Sequence, residues 1–143
     1  MDPGTPLLLR IRLQSNPDKI YECLTSDRER EKFWVEKSIE SDGGIFLLFP
    51  NGQKQMARII SDTPGKIFEI EYFGSYVKFE IFPQQGKGCI LQLSNDKIPA
   101  ADWCEQYAGW VSVLMALKGY ADYGIDLRNH HPDYSWDQHY IDN

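Results

Sequence analysis

Imidazoles and carboxylates crowd the close of the chain, where His130, His131 and His139 stand among Asp126, Asp133 and Asp137. Such groups suit zinc or iron. Their spacing matches no helical HxxxH pair and no finger pattern, and the segment has no helical or strand period that would aim ligands. No metal centre and no other cofactor is expected; these side chains are read as caps for backbone groups or as solvated. Cys23, Cys89 and Cys104 are odd in number and widely spaced, which fits neither a disulfide framework nor a metal knuckle. No nucleophile turn flanks Cys89 or Cys104, so pairing with a histidine for covalent catalysis is not expected. Catalytic residues are expected to be none.

A more promising group is aromatic. Trp34, Phe79, Trp103, Tyr107 and Trp110, with Phe68 and Leu114 beside them, are expected to meet where a helix stripe faces a sheet. Two roles are open to these rings. They could surround a space for an apolar ligand, with the Tyr107 hydroxyl and indole N–H groups as the orienting polar contacts, or they could simply fill a core. The reading leans to core filling for Trp110 and to cavity lining for Tyr107.

The elements that position these rings follow from periodicity. Leu7, Leu9, Ile11 and Leu13 alternate with Arg10, Arg12 and Gln14, which predicts a half-buried first strand. Asn16-Pro17-Asp18 opens a short helix, and Ser26 with Glu29 has capping-box spacing for a second, running to about Trp34. Six strands follow near 36–42, 45–50, 54–61, 66–73, 76–82 and 88–95, separated by glycine-bearing turns. In them Val77, Phe79 and Ile81 oppose Lys78 and Glu80, and Phe68, Ile70 and Tyr72 oppose Glu69 and Glu71, which leaves one sheet face apolar and those carboxylates outside. Asp42-Gly43-Gly44 and Gly86-Lys87-Gly88 fall between strands, so they are hairpin turns and not phosphate cradles.

Asp102 as cap and Gly124 as C′ residue bracket a helix of about 21 residues. Its apolar arc, Trp103, Tyr107, Trp110, Leu114, Leu117 and Ala121, is widened by Val111 and Met115 beyond what one sheet contact needs. The aromatic segment 125–143 is therefore expected to be an ordered tail, docked over that flank by Trp136 and Tyr140.

The composition suits a soluble globular unit: 143 residues, 42% hydrophobic and 25% charged. A formal charge of −6 without a basic run argues against nucleic acid. The run Leu7 to Leu9 is too short for a signal-peptide core and no long apolar segment occurs, so the expectation is a cytoplasmic chain without membrane insertion. Without repeats or linkers, residues 1–143 are read as one domain.

The order strand, two short helices, six strands and long helix is that of the helix-grip fold of START-like and birch-pollen-allergen-like (SRPBCC) proteins. Within that group the chain resembles the activator of heat-shock-protein-90 ATPase homologue family. The likeness is carried by Glu29 to Trp34, by Gly109-Trp110-Val111-Ser112-Val113-Leu114 and Leu117-Lys118, and by the close of the chain from Gly124 to Asn143. The glycine before tryptophan is the most specific part, since helix periodicity alone does not demand it. The resemblance implies an α+β domain whose curved antiparallel sheet wraps a long C-terminal helix around a cavity, with no shared catalytic residues to carry over. It also implies stress-related chaperone association as one role, although the eukaryotic activators have an additional N-terminal domain for which these 143 residues have no room. The function expected is noncatalytic binding of a small hydrophobic molecule or a protein partner. The alternative, a cyclase, hydratase or hydrolase of this fold, needs an inward acid or base that the oriented strands do not supply.

Overall fold

The computed structural model describes residues 4–143. Strand β1 (Leu7–Leu13) leads into α1 (Pro17–Thr25) and α2 (Asp27–Arg30). Strands β2 (Lys37–Ser41), β3 (Gly44–Leu48), β4 (Lys54–Thr63), β5 (Ile67–Tyr72), β6 (Ser75–Pro83) and β7 (Cys89–Asp96) follow, and then α3 (Trp103–Tyr123). The sheet has seven strands in the order β1-β7-β6-β5-β4-β3-β2, every neighbouring pair antiparallel. Strands β2 to β7 are a meander of short turns, and β1 closes the far edge against β7. A register shift between Ile59 and Ser61 marks a bulge in β4, which bends the strand and strengthens its twist. Curvature of this kind lets one face of the sheet wrap a helix.

The expected faces are the observed ones. Val77, Phe79 and Ile81 are buried with Phe68, Ile70 and Tyr72, and Phe79 meets the Trp110 ring edge-on at 5.7 Å. Because a slip of one residue would exchange the two faces, this register is fixed by the burial of six large side chains.

The two short helices are separated by Ser26, which serves both. Its N–H donates to the Glu22 carbonyl at the end of α1, while its hydroxyl accepts from the Glu29 N–H at the start of α2. The reciprocal arm of a capping box does not form, since the Ser26 N–H is already used and the Glu29 carboxylate accepts from the Tyr120 hydroxyl. Helix α2 is a single turn, shorter than expected, because the N–H groups of both Trp34 and Val35 fold back on the Arg30 carbonyl. That turn carries Phe33 and Trp34 into the core. Arg30 itself is fully buried and satisfied by the Leu24 carbonyl, Ser38 Oγ and the carboxylates of Asp27 and Glu40.

Helix α3 lies across the concave face. Asp102 does not cap it with its side chain: a 3-10 turn over Ala100–Asp102 feeds the helix and leaves Asp102 in helical conformation. At the other end Gly124 takes φ 67°, the left-handed conformation of a helix C′ residue, and the Ile125 N–H closes onto the Gly119 carbonyl.

The chain beyond α3 turns back along the helix on the line of Glu105, Ser112 and Gly119, residues spaced one heptad apart. Trp136 Nε1 donates to Glu105 at 3.1 Å, the Ser112 hydroxyl donates to the Ile141 carbonyl, and Leu127 sits where a side chain on Gly119 would have to be. This is a different flank from the one expected. Val111 and Met115 stay exposed, and Tyr140 is itself half exposed. The stronger anchor is Arg128, a buried guanidinium that donates to the Val35 carbonyl at 2.9 Å and the Glu31 carbonyl at 2.8 Å. Among the described residues no helix is long and apolar enough to cross a membrane.

Candidate ligand-binding cleft

A cleft of about 410 Å³ opens between the first half of α3 and two sheet turns. The helix contributes Glu105, Gln106, Gly109, Trp110 and Val113, and the 3-10 turn before it Asp102. The β3–β4 turn contributes Phe49, Asn51 and Gln53, the β5–β6 turn Tyr72 and Phe73, and the tail Trp136 and Asn143. Its volume lies within the roughly 300–1,000 Å³ usual for small-molecule sites.

The floor is aromatic and rigid. Trp34 lies 5.8 Å from the Tyr72 ring and 5.7 Å from the Trp110 ring, and Tyr72 lies 4.8 Å from Trp110. Beneath them Trp110 Nε1 donates to Asn95 Oδ1 at 2.9 Å, while Asn95 Nδ2 donates to Ser75 Oγ at 2.8 Å and to the Tyr76 carbonyl at 3.1 Å. Trp34 Nε1 donates to the Tyr72 hydroxyl at 3.3 Å. The indole N–H groups expected to orient a ligand are therefore spent inside the protein, and both tryptophans are held in place by them. Burial pushes the Tyr72 phenol well above its ordinary value, so it stays neutral, and among the described residues no group accepts its proton.

Of the seven residues singled out in the sequence, Trp34 and Trp110 line the cleft. Phe68, Phe79 and Leu114 are buried in the core below it. Trp103 and Tyr107 stack on each other at 5.6 Å nearer the helix start, where Trp103 Nε1 donates to the Thr5 carbonyl. Sequence reasoning passed over Tyr72, Phe49, Phe73 and Gly109. The signal for Tyr72 was present in the inward alternation of its strand, and that for Gly109 in the anomaly of a glycine inside a long helix.

The two glycines within α3 differ in kind. A Cβ on Gly119 would press against Leu127 at 2.9 Å, which is a packing reason for glycine. A Cβ on Gly109 would meet nothing within 4 Å, because the residue faces the cleft. Glycine inside a helix costs about 1 kcal/mol relative to alanine, and no protein contact accounts for it at Gly109.

Titratable groups outside the cleft have structural partners. Among the described residues no three His, Cys, Asp or Glu side chains are grouped to hold a metal ion. His130 bridges Glu36 at 2.6 Å and Asp126 at 2.7 Å, which ties the tail to the start of β2, and His131 Nδ1 accepts the Asp133 N–H. Burial pushes the Cys23 thiol up to about 12 and the Cys89 thiol up to about 11, so neither is a thiolate at neutral pH.

No sequence-family model matches the chain, and no curated protein matches it. Solved structures do. A Staphylococcus saprophyticus protein, SSP2350, superposes with a TM-score of 0.76 at 16% identity, over 87% of this chain and 96% of that one. The Aha1 dimer from Colwellia psychrerythraea gives 0.76 at 18% identity, over 84% of this chain and 98% of that one. DynU16, a protein of the dynemicin biosynthetic locus, gives 0.72 at 14% identity over 88% of this chain and 49% of that one. These likenesses, all under 25% identity, establish the helix-grip fold, which the Aha1 structure shares.

Proposed function

We propose that this chain is a noncatalytic cytoplasmic binding domain that takes up a small, ring-bearing hydrophobic molecule in the cleft, against the Trp34, Tyr72 and Trp110 floor. The observation that carries this reading is Gly109. A helix interior keeps a residue that lowers its own stability, at a position where only the open cleft lies within reach. A bare backbone there lets a flat ligand approach the helix closely, which is a recurrent use of glycine. The floor is preorganised by the Asn95 bonds, so binding would not require the rings to be reordered.

The test is a nuclear magnetic resonance titration with a neutral probe, a naphthyl methanol. Shifts of the Trp34 and Trp110 indole resonances, saturating together, support the reading. Saturable binding that moves neither indole would contradict it.

A second reading, docking of a protein partner, is favoured by the exposed α3 line of Cys104, Ala108, Val111 and Met115. The Colwellia psychrerythraea Aha1 structure is a dimer, and a second copy of this chain is the partner that comparison suggests. Analytical ultracentrifugation of the protein and of Met115→Asp distinguishes a dimer through this line from a monomer.

A further inference from the structure

We propose, on the strength of the cleft reading above, that the cleft selects a cationic ligand, an aromatic amine or ammonium, over a carboxylate or phosphate of the same shape. The charged side chains lining it are Asp102 and Glu105, and among the described residues no Lys, Arg or His lines it. A third carboxylate, Asp137, stands at the rim, where it accepts from Asn51 Nδ2 at 3.4 Å. An anion entering the cleft would face these groups with no cation to compensate its lost hydration.

The three indole donors at the cleft are already used, and the donors that remain, the side-chain amides of Gln53, Gln106 and Asn143, are neutral and carry no charge to balance an anion. The indoles of Trp34 and Trp110 donate to Tyr72 and Asn95, and the third indole, Trp136, donates to Glu105 Oε1 at 3.1 Å. That bond fixes the Glu105 carboxylate at the mouth, and among the described residues its other oxygen has no partner. An ionised carboxylate only accepts hydrogen bonds, so the free oxygen is an address for a donor on the ligand. Mouth and rim thus agree on the sign of the ligand charge, and the aromatic floor supplies no cation against it.

The experiment compares three probes of one shape: naphthyl methanol, naphthylmethylammonium and naphthoate, titrated into the full chain at low and high ionic strength with the Trp34 and Trp110 indoles as reporters. The ammonium is expected to bind about tenfold or more tightly than the naphthoate at low salt, with the alcohol between them. Salt should narrow that gap by screening the charges. Glu105→Gln, which keeps an acceptor for Trp136, should weaken the ammonium about threefold or more and the alcohol by less, so that the gap between the two narrows. Naphthoate binding as tightly as the ammonium, or a Glu105→Gln variant with unaltered ammonium affinity, overturns the charge selectivity while the alcohol shifts keep the cleft reading standing. If the alcohol itself moves neither indole, both readings fall.

Discussion

The indole nitrogen of Trp110 donates to Oδ1 of Asn95 at 2.9 Å, and through this bond the long helix is joined to strand β7 beneath the cleft. Asn95 is fully buried and its amide is spent on Ser75 and Tyr76, so one side chain serves three partners. Replacing it with an apolar residue of similar size strands the Trp110 N–H. Asn95→Leu should lower stability by about 2–4 kcal/mol in urea denaturation. A loss below about 0.5 kcal/mol would mean that these groups find other partners.

The tail is held by a guanidinium more than by its aromatics. Arg128→Ala leaves the carbonyls of Val35 and Glu31 without donors and should cost about 2–4 kcal/mol, whereas Trp136→Ala, at a partly exposed site, should cost about 1 kcal/mol. Deleting residues 127–143 should cost at least as much as Arg128→Ala. Thermal midpoints of the three variants check the order, and a truncated chain that melts with the intact one would refute it.

The same anchor carries a pH dependence. Hydrogen bonding to Asp126 and then to Glu36 raises the His130 pKa above its ordinary 6.5, against burial and the nearby Arg128 charge. A raised folded value means that the His130 contribution is complete below the unfolded pKa and is lost as pH rises through the folded one. Asp126 runs the other way. Burial opposes its ionisation, but hydrogen bonds from Arg128 and His130 overcome this and hold the carboxyl at about 2. Its contribution is present above about 3.8 and is lost as the pH falls toward 2. Urea midpoints of the protein and of His130→Gln should therefore differ at about pH 5.5 and converge by about pH 9. A constant difference across that range would exclude the His130 bridge as its source.

Strand facing was legible because it depends on local alternation: the Phe68, Ile70, Tyr72 and Val77, Phe79, Ile81 sets were placed inward from their period alone, and they are. The site was legible only in part. Trp34 and Trp110 reach the cleft, but Phe68 and Phe79 differ from Tyr72 only in how far along the strands they lie, and periodicity does not report where the sheet stops touching the helix. The tail's flank was misjudged for a similar reason. Val111 and Met115 are apolar enough to suggest a cover, yet the tail follows Gly119, where the missing side chain admits Leu127, and Arg128, whose partners are backbone carbonyls with no sequence signature. Glu29 met its capping-box spacing and was taken instead by Tyr120, a residue 91 positions away.

The central claim, that Gly109 keeps open a cleft for a ligand, is tested most directly by filling it. Gly109→Leu directs a side chain into space where a Cβ meets no neighbour, and it exchanges a poor helix former for a good one. The measurement is binding of the neutral dye Nile red to the protein and to this variant, each with its thermal midpoint. The account predicts that the variant melts at or above the temperature of the parent and binds the dye at least about tenfold more weakly. A variant that folds as well as the parent and binds Nile red with equal affinity would contradict it.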